Sequence, residues 1–479
     1  MACMTRPSTQ ISGPRLAAML GHWRGGVRSS AADLAAALRL LLLDGQLPPG
    51  TRVPSERELA TATGTSRALT TAAYDRLRAD GLLASRRGAG SWTTLPCTGR
   101  GGHLAPGPDH LVDLAHAAPS APAGLAAAAE AVRPAFAAQL GGHGYSPQGL
   151  PDLRARIADR YTARGLPTSP EQVLVTSGAQ HAFGLVLRTL TVPGDRVLVE
   201  NPTYPNALDA VRAAHARTIA VGLDADTGWD VDALGAALRR STPALAYLIP
   251  DFQNPTGLRM PEATRADVAI QLRATRTPVV VDETLVELDL DGGPVPSPLA
   301  AAVGDLAITV GSASKTFWGG LRLGWLRAPA DVVARLVAAR SATDLGCPVF
   351  EQLLLAELLD RPDLLPPRLD TLRAARSALL AALREHCPQW RTRSPAGGLS
   401  LWCRLDAPAS TRLAVLAERH GLRLVPGSRF SAHGRLERWL RLPYTLPPET
   451  LTAAAQRLAL AWSATAGVVP DEVPGALLA

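Results

Sequence analysis

The residue with the most chemical reach is Lys315. The chain has 479 residues and 49 basic side chains, of which 48 are arginines and one is this lysine. A guanidinium, with a pKa above ~12, cannot shed its proton and attack a carbonyl; a primary amine can. In a chain that uses arginine wherever charge alone suffices, the surviving amine is a candidate for Schiff-base chemistry. Its neighbours read as an anion site. Gly311-Ser312-Ala313-Ser314-Lys315-Thr316 follows the apolar run 307–310, and Arg322 lies seven residues on. The Ser312 and Ser314 hydroxyls and the Arg322 guanidinium suit a phosphate dianion. Upstream, the run 173–176 leads into Ser177-Gly178-Ala179-Gln180 and a helical stretch, so that Gly178, Ala179 and Gln180 form a cradle of backbone N–H groups.

Two further loops carry polar groups. Asp251 and Asn254-Pro255-Thr256-Gly257 follow a strand that ends at Ile249, and Asp282 ends the run 279–281. In open α/β sheets ligands bind beyond the carboxyl ends of strands, so four strand-end loops are expected to face one crevice. A lysine, a buried carboxylate, an amide and a phosphate cup together match pyridoxal 5'-phosphate. Lys315 would form the internal aldimine, and Asp282 would keep the ring nitrogen protonated. Asn254 would bond the ring O3', and Tyr204 would stack on the ring.

The elements that must position these residues follow from texture. Short apolar runs at 173–176, 197–200, 244–249, 279–281 and 307–310 alternate with Ala/Leu/Arg helical stretches, which predicts a mainly parallel sheet covered on both faces. Residues 113–465 form this α/β domain, with a small α+β subdomain from about 330 and strands near 399–405 and 439–442. Residues 466–479 are a tail. The Gly/Pro-rich stretch 96–112 is a linker, and residues 12–95 precede it as a separate helical, Arg-dotted module.

That module predicts a helix over 31–44 and a Ser55-x-x-Glu58 capping box that starts a second helix, stopped at Gly64. Thr65 or Ser66 caps a third, with Leu69, Ala73 and Leu77 on one face and Gly81 at its end. Strands 82–85 and 91–94 then flank a basic, glycine-rich tip. Helix, turn, helix and basic hairpin predict a winged helix-turn-helix. The third helix shows Ser66, Arg67 and Thr70 to the major groove, with Arg52, Arg57, Arg86 and Arg87 near phosphates. Residues 12–95 carry 11 arginines against six acidic residues, a surplus that holds most of the chain's net charge of +7.

The remaining composition narrows the class. With 19% charged residues and a mean hydropathy of +0.07, wholesale disorder is excluded. No apolar run approaches the roughly 18–20 residues that span a bilayer, and the N-terminus lacks a secretory pattern, so a soluble cytoplasmic protein without membrane partners is expected. Cys3, Cys97, Cys347, Cys387 and Cys403 show no paired spacing, and the histidines show no metal spacing, so neither a disulfide framework nor a metal is expected. His181, beside the phosphate turn, is the histidine closest to the predicted chemistry.

Two resemblances join these readings. Pro54-Ser55-Glu56-Arg57, Thr65-Ser66-Arg67 and Tyr74-Asp75-Arg76-Leu77 resemble the DNA-binding domain of GntR-family regulators, which implies DNA contacts by Arg57, Ser66, Arg67, Thr71 and the wing's Arg87-Gly88. From about 113 to 465 the chain resembles the fold type I aminotransferases. The resemblance rests on Gly144-Tyr145-Ser146-Pro147-Gln148-Gly149, Asn254-Pro255-Thr256-Gly257, Ser312-Ala313-Ser314-Lys315 and Leu440-Arg441-Leu442-Pro443-Tyr444. It implies that Ser312 and Arg322 hold phosphate, that Arg441 pairs with a substrate or effector carboxylate, and that Tyr145 reaches the cofactor of a partner subunit. The fusion resembles the MocR/GabR subfamily of regulators, which implies a homodimer on double-stranded operator DNA. The large domain would sense an amine, an amino acid or pyridoxal phosphate itself at Lys315. A working aminotransferase with a fused DNA-binding module is the alternative. One departure stands out. The family commonly places a tyrosine two or three residues after the ring-nitrogen aspartate, and here Leu285 occupies that place. This weighs against efficient transamination, with Glu283 and Thr284 as the neighbours able to substitute.

Overall fold

The computed structural model describes residues 9–21, 23, 30–43, 46–47, 50–86, 90–94 and 111–465. Its centre is an eight-stranded sheet. The strand order is Val173–Thr176, Gly324–Arg327, Ala307–Ser312, Val279–Asp282, Leu245–Leu248, Arg196–Asn201, Arg217–Asp224 and Gly228–Trp229. Five neighbouring strands pair in parallel, while Gly324–Arg327 runs antiparallel to both of its neighbours. Side chains alternate between two cores. Val173, Val175, Leu198, Leu248, Val279 and Val281 pack on one face. Leu174, Val197, Val199, Leu245, Val280 and Val310 pack on the other. Burial on both sides is why these strands read as continuous apolar runs.

The small subdomain begins later than the predicted 330. Val333 and Leu336 of helix Ala330–Arg340 and Leu354, Leu355 and Leu358 of helix Val349–Leu359 pack into the two cores of the large sheet. The separate core starts with helix Leu365–His386 and includes strands Ser400–Arg404 and Trp439–Pro443 and helix Pro448–Ser463. It also takes in Leu114, Leu288 and Leu290. The predicted linker end at 112 moves as well. Val112–Asp113 is a strand paired with Leu422–Arg423, because its backbone completes that edge. Residues 96–110 and 466–479 lie outside the described residues.

The N-terminal module has helices Gly13–Leu20, Ala31–Leu43, Glu56–Thr63 and Arg67–Ala79, closed by a small sheet that contains Leu83–Arg86 and Gly90–Thr93. Ser66, rather than Thr65, is the cap of the last helix, accepting from Leu69 N at 3.1 Å. That helix ends in a Schellman turn: Gly81 at φ +70° donates to Arg78 O, and Leu82 N donates to Leu77 O at 2.8 Å. The capping box is only half formed. Ser55 Oγ accepts from Glu58 N, but the Glu58 carboxylate turns away and accepts from Gly13 N at 2.7 Å, tying helix Gly13–Leu20 to helix Glu56–Thr63. Arg78, held by Asp75 one turn back, fastens the last helix to Glu56, Ser85 and Ser91. Asp33, buried in the first turn of its helix, pairs at 2.6 Å with Arg419 of the small subdomain's helix Ser410–Arg419. Among the described residues, no helix is long and apolar enough to cross a membrane.

Candidate functional site

One cavity of about 480 Å³ opens at the carboxyl ends of the central strands. It gathers Gly178, Ala179, Gln180, Tyr204, Asn254, Asp282, Ser312, Ser314, Lys315, Arg322 and Arg441. Tyr145 lies elsewhere, at 62% exposure, its ring 5.6 Å from that of His143 and tilted 32° to it.

Each group has a local reason for its place. Gly178 starts helix Ala179–Leu190 at φ +92°, a backbone state that favours glycine, and no side chain caps the helix. The first amides of a helix have no partner inside it, so they remain available to an anion. Arg322 holds a guanidinium nitrogen 3.6 Å from where a Gly178 Cβ would stand. Ser312 ends its strand and caps the short helix Ala313–Thr316 by accepting from Ser314 N, which lifts Lys315 off the sheet into the cavity. Gln180 Nε2 donates to Asn206 O, and Asn206 Nδ2 donates to Tyr204 Oη at 2.9 Å. His181 braces the same turn. Its Nδ1 accepts from Ser177 N, its Nε2 lies 3.2 Å from Asp344, and burial holds its pKa below the usual value.

Asp282 is the most thoroughly bonded group. Tyr247 Oη donates to its Oδ2 at 2.5 Å, while the Thr284 N–H (2.9 Å) and hydroxyl donate to its Oδ1. Burial and the Asp282 charge push the Tyr247 phenol well above its ordinary pKa, so it remains a donor. Sequence reading missed Tyr247; the available signal was a hydroxyl-bearing residue inside an apolar strand that pairs with the Asp282 strand. The structure also answers the Leu285 departure. Leu285 lines the cavity, Glu283 turns to Arg164 at 2.7 Å, and the Thr284 hydroxyl is committed to Asp282. Neither neighbour replaces the missing phenol.

Electrostatics favour nucleophilic nitrogen. Burial, reinforced by the Arg441 charge and opposed by Asp282, lowers the Lys315 amine to about 8. Burial also lowers Arg441, to about 10, and leaves it cationic at neutral pH. The Arg441 guanidinium lies 5.0 Å over the Phe430 ring, reaches Asn254 Oδ1 at 3.5 Å, and donates to Ala115 O. Its buried Nε has no partner among the described residues. Lys315 Nζ donates to Ala117 O at 2.7 Å. Sequence reading named neither carbonyl. An uncapped helix start, a low-pKa amine, a bonded carboxylate and an unmatched guanidinium donor fit pyridoxal phosphate and a carboxylate-bearing ligand. The groups available to hold them are Gly178–Gln180, Ser312 and Arg322 for phosphate, Asp282 for the ring nitrogen, and Arg441 for a carboxylate.

The nucleic-acid face holds a second correction. Arg52, Arg57, Ser66, Arg67 and Arg86 are exposed and Thr71 is half-buried, so these can reach a partner. Thr70 cannot. It is fully buried, with its hydroxyl on Ser66 O and Thr65 Oγ1, because it shares the inward face of its helix with Ala73, Tyr74 and Leu77. Arg67, Thr71 and Asp75, at spacings of four, share an outward groove. Arg87 and Gly88 lie outside the described residues.

Fold and site together define an aminotransferase-like domain joined to a winged helix-turn-helix. Residues 109–458 match the aminotransferase class I and II family, and residues 30–92 match the gntR family of bacterial regulatory proteins. The chain is 31% identical over 415 residues to the HTH-type pyridoxine biosynthesis transcriptional regulator PdxR of Corynebacterium glutamicum, covering 82% of this chain and 86% of that one. It is 35% identical over 325 residues to the 2-aminoadipate transaminase of Thermus thermophilus, covering 66% of this chain and 80% of that one. The alpha-aminoadipate aminotransferase LysN of Thermus thermophilus, solved with N-(5'-phosphopyridoxyl)-L-leucine, superposes with a TM-score of 0.69 at 31% identity, covering 75% of this chain and 94% of that one. The chain belongs to the MocR/GabR subfamily of GntR-family regulators, whose aminotransferase-like domain takes pyridoxal 5'-phosphate as cofactor.

Two outcomes follow. Only the neutral amine attacks an aldehyde, so the rate of pyridoxal phosphate capture should rise with pH through about 8; stopped-flow absorbance that keeps rising to an inflection near 10 would contradict the site's electrostatics. Tyr247→Phe leaves one oxygen of a buried carboxylate without its donor and should cost about 1.5–3 kcal/mol of stability in the cofactor-free protein. Chemical denaturation reads this, and a loss below about 0.5 kcal/mol would contradict the role given to the phenol.

Proposed function

We propose that this regulator reads a small primary amine, an amino acid or pyridoxal phosphate itself at Lys315, and that occupancy there sets its affinity for operator DNA. The single observation that carries the reading is convergence. The chain's only lysine shares a cavity with a tightly bonded carboxylate, an uncapped helix start and a buried guanidinium with an unused donor, in the same polypeptide as an exposed Arg67 at the head of a recognition helix.

When bound, pyridoxal phosphate supplies an aldehyde for a primary amine and a ring that draws electrons from the attached carbon. This chain's residues supply the rest. Lys315 furnishes the nitrogen. Asp282, oriented by Tyr247 and Thr284, holds a proton at the ring nitrogen. Asn254 bonds the ring oxygen, Tyr204 covers a ring face, and Gly178, Ala179, Gln180, Ser312, Ser314 and Arg322 hold phosphate. Arg441 selects ligands that carry a carboxylate. Tyr145, exposed on its own chain, completes the site of a second copy in a homodimer whose paired winged domains meet a two-part operator. Arg52, Arg57 and Arg86, with Arg87 and Gly88 that follow them in sequence, grip phosphates, while Ser66, Arg67 and Thr71 face the bases. A working transaminase is the second reading. The similarity to 2-aminoadipate transaminase and the complete Lys315, Asp282 and Arg441 set support it, and Leu285 weighs against it.

The test is a mobility shift on the DNA upstream of the protein's own gene, with and without pyridoxal phosphate and a panel of amino acids. Arg67→Ala should weaken specific binding by about 1–3 kcal/mol. No retention of that DNA at moderate salt under any of these conditions would overturn the regulator reading.

A further inference from the structure

The segment 113–118 lies across the cavity as a strap, and both cations that a ligand needs hold on to it. Its base is fixed. Asp113 belongs to the strand paired with Leu422–Arg423, where Val112 N donates to Gly421 O and Leu114 N donates to Arg423 O, each at 2.9 Å. The Asp113 carboxylate then folds the chain back on itself. One oxygen accepts from Ala115 N at 2.8 Å and His116 N at 3.2 Å, and the other takes His116 Nδ1 at 2.6 Å. This turn presents two carbonyls to the site. Ala115 O accepts from Arg441 Nη2, and Ala117 O accepts from Lys315 Nζ at 2.7 Å.

The second of these bonds depends on the chemistry of Lys315. A free primary ammonium has three N–H donors. The same nitrogen in a carbon–nitrogen double bond keeps at most one, held in the plane of that bond. When Lys315 adds to an aldehyde, its nitrogen–carbon bond forms and the carbonyl oxygen departs as water, so the donors that reach Ala117 are lost. When an incoming primary amine takes over that carbon, the Lys315 nitrogen–carbon bond breaks, and Nζ regains its hydrogens and can grip Ala117 again. A carboxylate on that amine competes with Ala115 O for Arg441.

One physical route leads from the strap to the DNA-binding module: its paired strand Leu422–Arg423 lies three residues beyond Arg419, which pairs with Asp33 of the winged domain. We infer that the strap 113–118 reports the bonding state of Lys315 to the DNA-binding domain: gripped through Ala117 while the lysine is a free amine, released while its nitrogen is tied to the cofactor. This inference rests on the function proposed above.

Hydrogen exchange on the full-length protein tests it, combined with operator affinity measured on the same samples. Adding pyridoxal phosphate to cofactor-free protein should speed exchange at 114–118 by about threefold or more, as expected for the loss of a hydrogen bond, while peptides around 178–182 and 312–316 slow. Lys315→Met without cofactor should exchange at 114–118 like the loaded wild type, and its operator affinity should shift in the direction that pyridoxal phosphate shifts the wild type. Asp113→Ala frees the turn at 115–116 and leaves every side chain in the cavity wall in place, Arg441 losing only the distant Asp113 charge. It should still take up cofactor by absorbance, yet its operator affinity should change less than about twofold on loading. Unchanged exchange at 114–118 on loading, with operator affinity still responsive, would overturn the strap and leave the proposed function standing. Wild-type operator affinity indifferent to pyridoxal phosphate and to amines would overturn that function, and the strap with it.

Discussion

Everything in the large domain depends on keeping one amine out of water beside two guanidinium groups. Burial penalises the ammonium, and Arg441 and Arg322 add like charge, so Lys315 comes down to about 8 despite the opposing pull of Asp282. At neutral pH the neutral, nucleophilic amine is therefore far more populated than in an unperturbed lysine. The sheet makes this possible. Its strands end together, so helix start, carboxylate, amide loop and lysine meet at one edge without any of them being close in sequence.

The same arrangement explains why two guanidinium groups and an amine coexist in a cavity with a single carboxylate, Asp282, in its wall. The excess positive charge is unfavourable on its own and becomes favourable with a phosphate and a carboxylate in place, which is how a receptor is built for anionic ligands. Asp282 is kept from collapsing onto a cation by three donors of its own, from Tyr247 and Thr284. Without a ligand, Arg441 and Lys315 turn to the nearest acceptors, the strap carbonyls. The receptor's cations are therefore bonded to a strap of the chain's own backbone, the kind of connection through which occupancy of one site can bias another.

Much of this was legible in the sequence for physical reasons. A lone lysine among arginines, glycine at a helix start, and serine before a lysine each report a local requirement of one residue type, and all fell into one cavity. The failures share a different cause. Thr70 was read from its proximity to Arg67, although its spacing to Ala73, Tyr74 and Leu77 already put it on the inward face. Glu58 caps a helix 45 residues away rather than its own, and Tyr247 serves the neighbouring strand; both are long-range choices that local pattern does not encode. The carbonyls of Ala115 and Ala117 have no signature at all, since every residue carries one. Domain limits drifted because helices Ala330–Arg340 and Val349–Leu359 pack back on the large sheet, a preference set by tertiary partners.

The central claim is that Lys315 bonds covalently to pyridoxal phosphate. Borohydride reduction of the loaded protein, followed by proteolysis and mass spectrometry, tests it most directly. The reduced phosphopyridoxyl group is expected on the peptide that contains Lys315, at near one equivalent per chain. An unmodified Lys315 peptide after reduction of protein that has visibly taken up cofactor would contradict it.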